Sequence, residues 1–115
     1  MAYKVIRSEE VNRDLRLILR HLVDSYVALG DPLTDAFERA AHRVDAMLDD
    51  MRALGHMPHQ GTQLPAVMPG LRQVTKKRAI FYFIVDENAR TVRIIAAFFG
   101  GQDHGRHIQA RLAGF

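Results

Sequence analysis

Two histidine pairs are the first residues with a spacing that could do chemistry. His56 and His59 stand three apart, as do His104 and His107, and three-residue spacing brings two imidazoles together on a helix. Neither pair has a neighbouring cysteine, for the chain has none, and only Asp103 adds a carboxylate. A metal centre needs a fuller ligand set, so His59 and His104 read better as polar loop residues. No metal or cofactor is expected. Gly100-Gly101 lacks the strand-to-helix, parallel context of a phosphate-binding glycine loop and reads as a sharp turn ending a strand. Metal-free cleavage of RNA is the remaining chemistry. It needs a base for the 2′-hydroxyl, an acid for the leaving oxygen and a cation at the phosphate. His104 or His107 could be acid or base, Asp103 their orienter, and Arg72, Lys76 or Arg78 the phosphate contacts. The plainer alternative is a solvated strand face, with Asp103 capping a tail helix.

Those residues depend on the elements that carry them. Ala79-Ile80-Phe81-Tyr82-Phe83-Ile84-Val85 and Thr91-Val92-Arg93-Ile94-Ile95-Ala96-Ala97-Phe98-Phe99 are short runs of β-branched and aromatic residues, suited to a buried pleated surface. Asp86 to Arg90 joins them as a hairpin loop. Gly70 to Lys76 alternates apolar and polar, as a half-exposed strand does. Tyr3 to Arg7 is a further short strand. Ser8 then caps a helix with Glu9 and Glu10 in its first turn, and Val11, Leu15, Ile18, Leu19, Leu22, Tyr26 and Leu29 form one apolar stripe up to Gly30. Asp31-Pro32 opens a second helix, Asp31 as cap and Pro32 in the first helical position. Leu33, Ala36, Phe37, Ala40, Val44, Met47, Leu48, Met51 and Leu54 carry its stripe to Gly55. The short link between the helices predicts an antiparallel hairpin. His56 to Pro69, punctuated by Pro58, Gly61 and Pro65, is a loop. Arg106 to Leu112 forms a tail helix stopped near Gly114. The class is α+β, in the order β-α-α-β-β-β(-α), with a helical hairpin on a small, largely antiparallel sheet.

At 115 residues, 48% apolar and 25% charged, the chain predicts one globular domain spanning residues 1–115. It has neither a membrane-length apolar run nor a signal-peptide core, so a cytoplasmic protein is expected. The charge is uneven. Residues 1–54 carry 8 Lys/Arg and 10 Asp/Glu, residues 55–115 carry 8 and 3, and the total is +3. Arg72, Lys76, Lys77, Arg78, Arg90 and Arg93 all fall in the basic half. They suit an anionic partner, nucleic acid or an acidic protein.

Pro69-Gly70-Leu71-Arg72, then Ala79-Ile80-Phe81-Tyr82-Phe83, Val92-Arg93-Ile94-Ile95 and Phe99-Gly100-Gly101-Gln102-Asp103, in this order of elements, resemble the RelE/ParE superfamily of bacterial toxin–antitoxin systems. The likeness covers nearly the whole chain and is closest to the ParE branch. It implies a small toxin held inactive by a cognate, ParD-like antitoxin in a hetero-oligomer. ParE toxins act on DNA gyrase; RelE toxins cut messenger RNA on the ribosome. The post-strand segment Gly101-Gln102-Asp103-His104 lacks the basic residue of the RelE pattern, and no Tyr follows. Lys76, Lys77 and Arg78 do resemble the RelE cations that enter the middle strand.

The resemblance thus favours a gyrase inhibitor that acts by binding. The alternatives are a ribosome-dependent endoribonuclease, using His104, His107, Arg78 and Lys76, and a non-toxic module that only binds an antitoxin. Target contacts are expected at Arg72, Arg78, Gln102, Asp103 and His104. Antitoxin contacts are expected at Arg72, Lys76, Arg78 and Arg93.

Overall fold

The structure is a computed structural model that describes residues 2–100 and 104–113, with only the backbone of His104. Its elements are β1 (Lys4–Arg7), α1 (Glu9–Ala28), α2 (Leu33–Ala53), β2 (Thr62–Gln63), β3 (Leu71–Lys76), β4 (Ala79–Asp86), β5 (Thr91–Phe99) and α3 (His104–Ala113). The described strands form one sheet in the order β1-β5-β4-β3-β2. Strands β2 to β5 pair antiparallel, and β1 joins the edge parallel to β5, Lys4 opposite Thr91. The α+β class and the hairpin-on-sheet architecture are as the sequence predicts. No described helix is long and apolar enough to cross a membrane.

Two apolar layers hold the sheet. On one face, Val11, Leu15, Ile18 and Leu22 of α1 and Ala40, Met47 and Met51 of α2 pack on Phe81, Phe83, Val92, Ile94, Ala97 and Phe99. On the other, α3 sets Ile108 against Leu71, Ile80, Tyr82, Ile95, Ala96 and Phe98. Each large side chain buried this way contributes about 1.5–3 kcal/mol. A bulge resets which β5 residues face each layer. Tyr82 pairs with Ala96 but Phe83 with Ile94, so Ile95 is an extra residue in β5. Ile95 and Ala96 therefore share the α3 face, and Ala97 and Phe99 return to the hairpin face.

Ser8 caps α1 as expected, its Oγ accepting from the Val11 amide at 3.3 Å. Asp31 does not cap α2. Pro32 is itself extended (ψ 148°) and holds the cap position without a side-chain bond, so the helix starts one residue late and Asp31 pairs with Arg39 instead. The apolar stripes also overrun the sheet. Leu29, Leu33 and Phe37 lie at the hairpin tip and are 81%, 69% and 53% exposed. The loop from His56 to Pro69 contains a strand that the sequence does not announce: β2, two exposed residues paired with β3. The tail helix begins two residues ahead of Arg106.

Beyond Arg7, β5 has no strand beside it on its outer side, because β1 is only four residues long. Side chains take over. The buried Asp14 carboxylate of α1 accepts from the Ala97 amide at 3.1 Å. Arg111 of α3 grips both Asp14 oxygens at 2.8 and 3.1 Å and donates to the Ile95 carbonyl at 3.0 Å. Its Nε also lies 3.0 Å from Glu10. One ion pair thereby ties both helical layers to the strand between them.

Candidate functional site

The β3–β4 connection holds two adjacent non-glycine residues at positive φ. Lys76 pairs with Ala79, so only Lys77 and Arg78 make the turn, at φ 51° and 71°. Two positive φ values in a two-residue hairpin are the type I′ pattern, which favours Asn-Gly. Lys and Arg in those positions cost about 1 kcal/mol or more each. Both side chains are exposed. A costly turn built from two cations is a place to look for function.

The surroundings add further positive charge. Arg43, off the buried stripe of α2, donates to the Lys77 carbonyl at 2.9 Å. Its guanidinium lies 5.1 Å from the centre of the Phe99 ring, and that of Arg78 lies 5.6 Å from the same centre. Such cation–ring contacts hold both groups in place. Gly100, at φ 65°, donates to the Arg78 carbonyl at 2.9 Å and so fixes the end of β5 to the turn. One turn back along α2, Arg39 lies over the Tyr26 ring at 4.0 Å. Tyr26, Glu38, Arg39, His42, Arg43, Ala46 and Lys77 line a shallow groove of ≈ 600 Å³. This basic end gathers Arg39, His42, Arg43, Lys77 and Arg78, with Glu38, the Arg39-paired Asp31 and, one turn before Arg39, Asp35 among the nearby carboxylates. Sequence reading singles out Arg78 and misses the α2 residues. Their signal is the spacing of 39, 42 and 43, which puts three basic residues on one flank of a helix.

The other expected contacts are dispersed. Lys76 begins the same turn, and alternation with Val74 places it on the hairpin face of β3. Arg72 lies at the far end of that strand, where it donates to the His59 carbonyl at 2.8 Å. Arg93, between the inward Val92 and Ile94, projects from the opposite face of the sheet and is exposed. The four residues expected to meet an antitoxin therefore do not form one continuous face.

The expected nuclease set is also divided. His107 stacks on Phe98, ring centres 5.8 Å apart, beside a ≈ 470 Å³ groove that it lines with Glu10, Asp14 and Arg111. Arg78 lies against Phe99, which faces the other layer. His107 and Arg78 thus lie on consecutive rings of β5 that face opposite layers. Gln102 and Asp103 lie outside the described residues, as does the His104 side chain. Among the described residues no three His, Cys, Asp or Glu side chains are placed to hold a metal ion.

His59 joins a different cluster, at the β4–β5 end. It pairs with Glu87, whose other oxygen accepts from the Tyr3 hydroxyl at 2.6 Å. The Tyr3 and His59 rings meet edge-on at 6.0 Å. The His59 and Tyr3 bonds hold the Glu87 carboxyl below its ordinary range, with the charges of His59 and Arg72 adding to this. The Glu87 bond, helped by some burial, pushes the Tyr3 phenol up. The cluster clasps the N-terminus to the β4–β5 loop. A depressed carboxyl stabilises the fold above its unfolded-state range, and that contribution is lost as pH falls through the depressed value. Glu87→Gln should therefore melt below the parent at neutral pH, and the gap should close under acid. A gap that persists below the carboxylate range would assign the effect to something other than this ionisation.

Neither a protein-family model nor a curated protein matches the sequence. Solved structures do match in shape. The RelBE2 toxin–antitoxin complex of Mycobacterium tuberculosis contains a chain 14% identical, with TM-score 0.59, over 86% of this chain and 99% of that one. The chromosomal ParDE system of P. aeruginosa contains one 21% identical, with TM-score 0.64, over 86% and 97%. A double arginine-to-alanine mutant of the E. coli toxin RelE, in its free state, is 11% identical, with TM-score 0.61, over the full length of both. ParE and RelE structures thus match it comparably, and the chain has the RelE/ParE toxin fold.

Proposed function

We propose that the protein is the toxin of a bacterial type II toxin–antitoxin system, that it acts in the cytoplasm, and that it inhibits DNA gyrase by binding rather than by chemistry of its own. The observation that supports this reading is that His107 stacks on Phe98 at the α3 face, whereas Lys76 and Arg78 lie toward the hairpin face. General acid–base catalysis requires its groups within hydrogen-bond reach of one substrate. The cations around the turn then act as a binding surface.

In this reading Arg72 and Arg78, with Gln102, Asp103 and His104, contact the target. Arg72, Lys76, Arg78 and Arg93 meet acidic side chains of a ParD-like antitoxin that passes from one face of the sheet to the other. Antitoxins accompany the toxins in the RelBE2 and ParDE structures. Induced without its antitoxin, the protein should produce filamentous cells and a DNA-damage response, and the purified protein should inhibit gyrase supercoiling. Early arrest of translation with messenger RNA cut in ribosome complexes would replace this reading with the endoribonuclease. Tight antitoxin binding with no growth defect would leave only the binding module.

A further inference from the structure

We propose that the basic end of the sheet binds the phosphate backbone of duplex DNA directly, through Arg39, His42, Arg43, Lys77 and Arg78. For its consequence in the cell this rests on the gyrase reading, since it makes the toxin touch the DNA that gyrase holds; the binding itself does not depend on gyrase.

Three observations converge. First, three of the cations are held before any ligand arrives, Arg39 by the Tyr26 ring and its ion pair with Asp31. Arg43 is bonded to the Lys77 carbonyl at 2.9 Å, and Arg43 and Arg78 both lie within 6 Å of the centre of one ring. Fixed guanidinium groups lose less freedom on binding an anion than mobile side chains do. Second, the turn is built against local preference. Lys77 and Arg78 hold left-handed positions where Asn-Gly would be relaxed. Such residues cluster at functional sites, and here two of them are adjacent. Third, the surface suits a duplex better than an unpaired strand. Single-stranded nucleic acid is gripped by open aromatic faces on which bases stack. Here the Tyr26 ring carries Arg39, and the Phe99 ring carries Arg43 and Arg78. The exposed Phe37 lies about 160° round α2 from Arg39. The local rings thus serve to position guanidinium groups. Phosphate contacts of this sort carry affinity but no sequence, so binding is expected to be indifferent to sequence.

The test is fluorescence anisotropy of the purified full chain with a labelled duplex of about 20 base pairs, without gyrase, across a salt series. With about four phosphates neutralised, affinity should fall roughly 150-fold between 50 and 200 mM salt. Lys77→Asn combined with Arg78→Gly relaxes the turn, so that variant should melt no lower than the parent. It should nevertheless bind at least tenfold more weakly, with a salt slope shallower by about 2. Arg90→Gly removes one charge from a left-handed position (φ 52°) in the loop at the opposite end of β4 and should leave affinity within twofold. The proposal is overturned by a salt slope near zero, by equal binding of the Lys77/Arg78 variant, or by tighter binding of single-stranded RNA of the same length. Supercoiling assays on the same samples separate this claim from the one beneath it. Duplex binding without gyrase inhibition sinks the gyrase reading and leaves the DNA contact. Gyrase inhibition without duplex binding does the reverse.

Discussion

Asp14→Ala should destabilise the fold by about 3 kcal/mol, the cost expected when one partner of a buried ion pair is removed. Its side chain is only 8% exposed and that of Arg111 20%. The substitution strands two groups at once. The Ala97 amide loses its acceptor, and Arg111 keeps only the Ile95 carbonyl and the more exposed Glu10 as partners. A buried donor left unpaired costs about 1–3 kcal/mol by itself. Asp14→Asn should cost less, because an amide oxygen can still accept from Ala97. Arg16→Ala provides the comparison: it breaks an ion pair with Glu9 whose side chains are 61% and 69% exposed, for which less than about 0.5 kcal/mol is expected. Urea unfolding of the three variants decides the matter. Equal midpoints for Asp14→Ala and Arg16→Ala would show that the buried pair is no more than a surface contact.

Gly55→Ala comes next, at roughly 2–3 kcal/mol, a magnitude typical of forced overpacking. An added methyl would stand 2.3 Å from the Tyr3 carbonyl oxygen and 3.2 Å from a Val5 methyl. The Tyr3 amide also donates to the Gly55 carbonyl at 2.7 Å, so the two backbones cannot separate without losing that bond. Relief requires β1 to shift against β5, which strains all four pairs of the parallel ladder. Gly30→Ala isolates the other way a glycine can matter. Its φ is 109°, yet an added methyl would meet open space, so only the backbone preference is lost, about 1 kcal/mol. Thermal melts should rank Gly55→Ala well below Gly30→Ala. The opposite ranking would mean that β1 yields without resistance.

Most of the fold could be read from residue patterns because most of it rests on local periodicity. The α1 and α2 stripes, the Ser8 cap and the three apolar strands each carry their own signal. What escaped depends on partners distant in the chain. Nothing near Tyr3–Arg7 states that it runs parallel to Thr91–Ile94. Asp14 looks like one more polar helix position until β5 is placed beside it, 83 residues away. Gly55 reads as a helix stop, whereas its larger constraint is the approach of Tyr3. The bulge at Ile95 is hidden inside an unbroken apolar run, where alternation has no polar residue to mark its phase. The basic end was half visible. Lys76, Lys77 and Arg78 are adjacent in sequence, but Arg39 and Arg43 join them only through the packing of α2 on the sheet.

The treatment of the β5 margin has a consequence for how the protein behaves at high concentration. Unpaired strand borders are templates for intermolecular β-pairing, and long, flat ones seed aggregates. Among the described residues, the outermost strands of this sheet are β1, four residues long, and β2, two residues long. The stretch of β5 that outruns β1 has its Ala97 amide and Ile95 carbonyl engaged by Asp14 and Arg111. A carboxylate and a guanidinium thus do what a further strand would do, and they leave charge where a copy of the chain would otherwise dock. The same two residues that join the layers guard the molecule against fibrous self-association.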